Sequence, residues 1–122
     1  LHHLRYGPDA FARIRMAPGH EPREHVVSAK RLREALKDLG AARPERVELL
    51  LPLPGLTRIE LLDTPGFNAP DAEHGAVARA AAAEADFVVW LLDAGQPLKD
   101  TERQVLSELQ RAGLPVQILI NK

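Results

Sequence analysis

Residues 59–70 read IELLDTPGFNAP, an apolar run followed by polar and turn-forming residues. An apolar run ends in a carboxylate at Asp63, and a glycine follows three residues later at Gly66. This pattern predicts a strand that ends in a turn. A carboxylate at a strand end can hold a metal ion, and a glycine amide can approach a metal-bound phosphate closely because no side chain blocks it. A tight turn without a ligand is the alternative interpretation.

Downstream of this stretch the sequence alternates between strand and helix patterns. The expected order is strand, helix, strand, helix, strand, at residues 57–63, 72–85, 87–93, 100–112 and 116–121. We expect Asp71 to cap the first of these helices, Thr101 and Gln104 to form a capping box on the second, and Gly113 to end it. Each crossover is long enough for a parallel βαβ unit, so we predict an α/β fold with a mostly parallel sheet and flanking helices.

Upstream, the pattern predicts strands and one helix. We expect a β-hairpin or two adjacent strands at 1–6 and 11–16, a helix over 22–39 that stops at Gly40, and a strand at 46–52. A short, turn-rich link joins 46–52 to 57–63, so we pair these two strands antiparallel and place 46–52 at the edge of the sheet.

Composition limits the classes of protein that fit. The 122 residues suit one domain, and a hydrophobic content of 45% allows a buried core. A net charge of -1 argues against a nucleic-acid partner, and the lack of cysteine excludes disulfides and thiolate metal sites. No apolar stretch approaches the roughly 20 residues of a membrane helix. Five histidines make no convincing metal set, at His2, His3, His20, His25 and His74.

Polar residues follow three of the predicted strands. Asp63, Asp93 and Asn121 each stand where a strand ends. Ligands of open α/β sheets bind outside the carboxyl ends of the strands, so these residues can converge on one site. The alternative is that chains simply become polar as they leave the core.

Two motifs resemble those of a known class. The D-T-P-G of residues 63–66 and the N-K of residues 121–122 resemble the third and fourth motifs of P-loop GTPases. LRYGP, FVVWLLDAGQPLKD and VQILINK further resemble a bacterial dynamin-like GTPase domain. The resemblance implies a partial P-loop GTPase fold over residues 1–122. It assigns nucleotide binding to Asp63, Thr64, Gly66, Asn121 and Lys122, with Asp63 holding Mg²⁺ through water.

The resemblance also implies a function. We expect the parent protein to bind and hydrolyse GTP with Mg²⁺, and to couple hydrolysis to self-assembly on membranes. GTP, GDP and other copies of the GTPase domain are the implied partners; membrane contact is expected through parts outside this chain, and no nucleic acid is expected. The implied location is cytoplasmic or peripheral at the inner membrane. A degenerate GTPase-like module without turnover, or a GTPase of another branch such as the ribosome-assembly type, remains an alternative.

The sequence departs from the GTPase pattern in three places. It contains no G-x-x-x-x-G-K-[ST], the phosphate-binding loop, and the N-K-x-D motif stops after Lys122. Phe67 stands where Ras-type enzymes carry the glutamine that orients water, so we name no catalytic residue. Both ends look cut, and we expect a fragment of a longer protein. Alone it should be inactive and bind GTP with a dissociation constant of about millimolar or weaker.

Overall fold

A computed structural model of the protein describes residues 1–64, 72–96 and 98–121. The chain divides into two compact units, Leu1–Thr64 and Pro65–Lys122. None of the helices in the described part of the chain is long and apolar enough to cross a membrane.

The first unit is a five-stranded sheet with one helix. Its strands are β1 (His2–Tyr6), β2 (Phe11–Met16), β3 (Glu24–Ser28), β4 (Pro44–Leu51) and β5 (Leu61–Asp63), and its helix is α1 (Leu32–Asp38). Short 3₁₀ turns cover Ala29–Arg31 and Pro54–Thr57. The strand order is β3-β2-β4-β1-β5, in which β1 and β4 are parallel and the other three pairs are antiparallel.

The core of the first unit lies on one face of this sheet. Ile14, Met16 and Val47 are buried there, and the apolar stripe of α1 packs against them through Leu32 and Leu36. Alternate residues of β2 are buried, as expected for a strand with one face on a core. The helix ends at Gly40 as predicted, because this glycine adopts the left-handed conformation with φ of 58°.

The predicted pairings of the first unit were wrong. The strands at 1–6 and 11–16 form no hairpin, because β4 lies between them. Residues 46–52 and 57–63 do not pair either, because β1 lies between β4 and β5, so β4 is no edge strand. Gly7 permits this insertion: its N–H donates to the carbonyl of Leu51, and an added Cβ would lie 2.8 Å from the Leu50 Cβ. The sheet is therefore mixed and mostly antiparallel, whereas we predicted a mostly parallel one.

The helix predicted over 22–39 was correct only in its second half. Residues 24–28 form β3, which pairs with β2 along the whole length of β3. Val26 and Val27 favour strands, and β2 offers a free edge, so strand pairing replaces the first part of the predicted helix. Only residues 32–38 form an α-helix.

The second unit follows the predicted order. It contains α2 (Ala72–Glu84), β6 (Val88–Asp93), α3 (Asp100–Arg111) and β7 (Val116–Asn121). The strands β6 and β7 form a parallel ladder from the pair Val88 and Val116 to the pair Asp93 and Asn121. Its core joins Trp90 of β6 to Val105 and Leu109 of α3.

The ends of α3 confirm one prediction and correct another. Gly113 ends the helix in the left-handed conformation with φ of 74°. The capping glutamate is Glu102, whose Oε2 accepts the N–H of Lys99 at 2.9 Å, so the box does not involve Thr101 and Gln104. The helix begins at Asp100, two residues earlier than that box requires. The predicted cap Asp71 lies outside the described residues.

Candidate functional site

Asp63 is the last residue of β5, at the strand end where the sequence predicts it. The antiparallel pairing of β5 with β1 places His2 directly opposite. The side chain of Asp63 is 71% exposed, and its Oδ2 lies 3.4 Å from Nδ1 of His2. The carboxylate therefore contributes nothing to the core and is open to a ligand from solvent.

The described surroundings of Asp63 offer one exposed carboxylate to a ligand. In the part of the chain that is described, no group of three or more His, Asp or Glu side chains could hold a metal ion. Mg²⁺ keeps several waters and is often bound through one or two carboxylates together with substrate phosphates. A single exposed carboxylate at a strand end matches that way of binding.

A polar cluster centred on Glu60 lies just before β5. Nε2 of His3 lies 2.7 Å from Oε2 of Glu60, and Nε of Arg5 donates to Oε1 of Glu60 at 3.1 Å. Arg46 lies 2.7 Å from Nδ1 of the buried His3. Because a guanidinium only donates, Nδ1 must accept, so Nε2 carries the hydrogen that bonds Glu60. The hydrogen bond from His3, followed by the charge of Arg5, lowers the pKa of Glu60. This cluster ties β1 to the segment that leads into β5.

The second unit brings Asp93 and Asn121 together. They face each other at the carboxyl end of the β6–β7 ladder, which confirms that these two predicted residues share one edge. Oδ1 of Asp93 accepts the N–H of Gly95 at 2.9 Å, and the Asp93 carbonyl accepts the N–H of Gln96 at 3.1 Å. The carboxylate of Asp93 thus closes a turn, which is the structural alternative for that residue.

Asn121 is positioned by its backbone. Its carbonyl accepts the N–H of Ala94 at 3.0 Å, which joins the loop after β6 to the end of β7. Its side chain is exposed at the strand end. An exposed amide offers both a donor and an acceptor, the groups that reading a base edge requires.

Of the remaining predicted site residues, the structure describes Thr64 only. Thr64 is described and half-buried at the end of the first unit. Gly66 and Lys122, together with Phe67, lie outside the described residues. Asp63 belongs to the first unit and Asn121 to the second, so their convergence on one crevice stays a prediction.

Sequence reasoning missed the neighbours of Asp63. The sequence does not indicate that His2, His3 and Glu60 lie together, because 57 residues separate His3 from Glu60. The available signal was two histidines at the start of a strand-like segment, and this signal carries no information about which strand lies opposite. Only the pairing of β1 with β5 brings these residues together.

Comparison with known proteins finds a matching family and similar individual proteins. The family model of the Dynamin family matches residues 12–122. The GTPase Der proteins of two strains of Acidithiobacillus ferrooxidans are each 33% identical over 96 residues, covering 63% of this chain and 21% of the relative. The chain therefore spans about a fifth of the length of these relatives.

A solved structure shares the fold. It is an oligomerised bacterial dynamin pair, described as providing a mechanism for long-range sensing and tethering of membranes. It matches 98% of this chain with a TM-score of 0.70 and 18% identity, while this chain covers 21% of that structure. The resemblance to a bacterial dynamin-like domain is thus confirmed, and because the family model covers nearly all of the sequence, the chain belongs to the Dynamin family.

Proposed function

We propose that residues 1–122 form part of the GTPase domain of a protein that binds and hydrolyses GTP. The observation that carries the proposal is the match of the Dynamin family to residues 12–122, which includes the D-T-P-G and N-K motifs. The exposed carboxylate of Asp63 at the end of β5 supports it, because a solvent-facing strand end is where a nucleotide phosphate and its metal can be reached.

In this proposal Asp63 holds Mg²⁺ through water. Mg²⁺ held by Asp63 would supply positive charge to offset the negative charge that develops on the phosphates during phosphoryl transfer. Asp63 contributes a full negative charge that little of the protein shields, since its side chain is mostly exposed. The same assignment gives Thr64 and Gly66 the phosphate side of the nucleotide.

Asn121 and Lys122 would recognise the base. The Asn121 amide can hydrogen-bond a guanine edge, and the Lys122 stem can lie along the purine ring. The hydrogen bond between Ala94 and Asn121 and the turn closed by Asp93 hold the end of β7 in place. Asp93 therefore supports the base-reading residue in this proposal without contacting the nucleotide itself.

We further propose that the parent protein couples GTP hydrolysis to self-assembly. The family assignment and the structural neighbour, itself an oligomerised pair that tethers membranes, support self-association of the GTPase domain and action on membranes. We assign the membrane contact to parts outside this chain, and the location to the cytoplasm or the inner membrane surface.

The test is GTP hydrolysis by the full-length protein, with and without Mg²⁺. Asp63→Asn should lower Mg²⁺-dependent turnover about hundredfold, because it removes the charge that faces the metal shell. Asp86→Asn changes an exposed aspartate outside the site and serves as the matched control. A thermal melt followed by circular dichroism should be unchanged for both variants.

Two outcomes would contradict the proposal. Normal turnover per folded molecule with a collapsed melt for Asp63→Asn would make Asp63 a structural residue. Tight GTP binding without turnover in the wild-type protein, at any Mg²⁺ concentration and with added membranes, would favour the non-catalytic module instead.

A further inference from the structure

His2 is the neighbour of Asp63 that the proposed function leaves without a role. The two residues are directly opposite in the antiparallel β1–β5 pair, so their side chains leave the sheet on the same face. Nδ1 of His2 lies 3.4 Å from Oδ2 of Asp63. Because an ionised carboxylate only accepts, the imidazole nitrogen is the donor.

The backbone of His2 is held in place by its neighbours in β1. His3 and Arg5 both bond Glu60, and the N–H of Gly7 donates to Leu51 of β4. These contacts fix β1 on both sides, towards β5 and towards β4. The imidazole of His2 therefore approaches Asp63 from a strand whose position is set independently of any ligand.

Asp63 has no other described partner to fix the rotation of its carboxylate. Among residues 1–64, 72–96 and 98–121, His2 is the side chain recorded at hydrogen-bonding distance from it. With Oδ2 directed to His2, Oδ1 is left for a metal-bound water. Residues that hydrogen-bond a metal-binding group from behind commonly orient it and tune its affinity.

The geometry points to His2 as a positioning residue for the metal-binding carboxylate: its Nδ1–H orients Asp63 towards the magnesium–nucleotide complex. This inference rests on the proposed function, since it needs Asp63 to face that complex. It adds a residue before the D-T-P-G motif that touches neither metal nor nucleotide and acts only through Asp63.

The experiment measures metal binding directly, without turnover. In the full-length protein, Mn²⁺ binding with a non-hydrolysable GTP analogue is titrated by electron paramagnetic resonance. His2→Ala should weaken Mn²⁺ binding about tenfold, the lower end of the effect for such partners, because both side chains are exposed. His20→Ala removes an exposed histidine far along the chain and should change nothing.

A conservative variant separates the hydrogen bond from the ring. His2→Asn places an amide N–H where Nδ1 of His2 stands, so it should restore Mn²⁺ affinity to within about threefold of the wild type. Valine favours strands but has no hydrogen-bond donor, so His2→Val controls for any disturbance of β1 by alanine. It should weaken Mn²⁺ binding as much as His2→Ala does. Thermal melts of the Asn and Val variants should match.

The outcomes distinguish this inference from the proposed function. If His2→Ala and His2→Val bind Mn²⁺ as the wild type does while Asp63→Asn does not, His2 has no positioning role and the proposed function stands. If the wild-type protein binds no Mn²⁺ with the analogue, both are overturned. Equal weakening in the Asn, Ala and Val variants would also reject the hydrogen bond as the cause.

Discussion

The two units of the chain differ in where their strands find partners. In the second unit, β6 pairs with β7, the next strand along the chain, after a single helix. In the first unit, β1 pairs with β4 on one side and with β5 on the other, and its His2 faces Asp63, 61 residues away. A parallel pair with a helical crossover is visible as a local pattern, whereas a strand inserted between two later strands is not.

The units also differ in what holds them together. The second unit has an apolar core between β6 and α3. The first unit has an apolar core too, and its sheet also carries a row of hydrogen-bonded or ion-paired side chains. This polar row comprises Glu60, His3, Arg46, Glu48, Arg13 and Glu24. Burial of apolar area contributes more than partly exposed ion pairs. Substitutions in the apolar core should therefore lower the free energy of unfolding more than substitutions in the polar row.

The largest expected effect is at Trp90 in the second unit. Trp90 is only 6% exposed and packs on Val105 and Leu109. Trp90→Ala should lower the free energy of unfolding by about 3–5 kcal/mol, through lost burial and the cavity left behind. Hydrogen exchange read by mass spectrometry on peptides from β6, α3 and β7 measures this loss.

Phe87 provides the control for Trp90. Its side chain lies just before β6 and is 53% exposed. Phe87→Ala should therefore lower the free energy of unfolding, read by hydrogen exchange, by about 0.5 kcal/mol or less. Equal losses at the two positions would mean that the core between β6 and α3 does not dominate the stability of this unit.

The second largest effect is at Gly7 and addresses the inserted strand of the first unit. A methyl group at Gly7 would lie 2.8 Å from the Cβ of Leu50, so either β1 or β4 must shift. Gly7→Ala should cost about 1–3 kcal/mol, the usual range for overpacking. Gly55→Ala is the control, because nothing lies within 4 Å of its added Cβ. Protection of β1 and β4 amides that is identical in both variants would contradict the close approach.

The elements of the second unit could be predicted from the sequence alone. It places α2, β6, α3 and β7 within one or two residues, because α2 is rich in alanine, β6 and β7 are apolar runs, and α3 has an apolar face with Gly113 as a stop signal. Asp63 ends β5 as predicted, although β5 covers only Leu61–Asp63 of the strand predicted over 57–63. The carboxyl-end positions of Asp93 and Asn121 follow from β6 and β7. Local pattern and local structure agree throughout that part of the chain.

The first unit shows why the rest could not be predicted. Nothing near residues 24–28 indicates that β2 offers them an edge, so the helix whose apolar stripe begins at Ala29 is predicted to start already at Pro22. Likewise the turn-rich link after β4 suggests a hairpin, and only the competing pairing of β1 with both neighbours excludes it. The histidine beside Asp63 is invisible for the same reason. Pairing partners are decided by the whole sheet.

Gly40 and Gly113 should give smaller and matching effects in the two units. They end α1 and α3 with φ of 58° and 74°, and nothing lies within 4 Å of an added Cβ at either position. Alanine at each should therefore cost about 1 kcal/mol through conformation alone. Asparagine, which tolerates this conformation better, should cost less at both. Hydrogen exchange of the last helical turns measures the effect, and a larger loss for asparagine than for alanine would reject the conformational cause.

The smallest expected effect is at Glu60, and it depends on pH. Hydrogen bonding from His3 and the charge of Arg5 lower the pKa of Glu60 below its ordinary 4.5. The folded chain therefore holds the charged form more tightly than the unfolded chain does. The resulting stabilisation is fully present above pH 4.5 and disappears as the pH falls through the lowered folded value.

Glu60→Gln removes that stabilisation while keeping the shape of the side chain. Because the carboxylate is half exposed, the loss at pH 7 should be below about 1 kcal/mol, and salt should reduce it further. Hydrogen exchange of β1 and β5 peptides, corrected for the intrinsic rate at each pH, should show the full difference at pH 7 and a shrinking one as the pH falls below 4.5, the ordinary pKa of Glu60. A difference that persists in acid would mean that Glu60 holds β1 beside β5 by packing and neutral hydrogen bonds. The contrast with Trp90 would then be one of amount of burial, and charge would play no part in it.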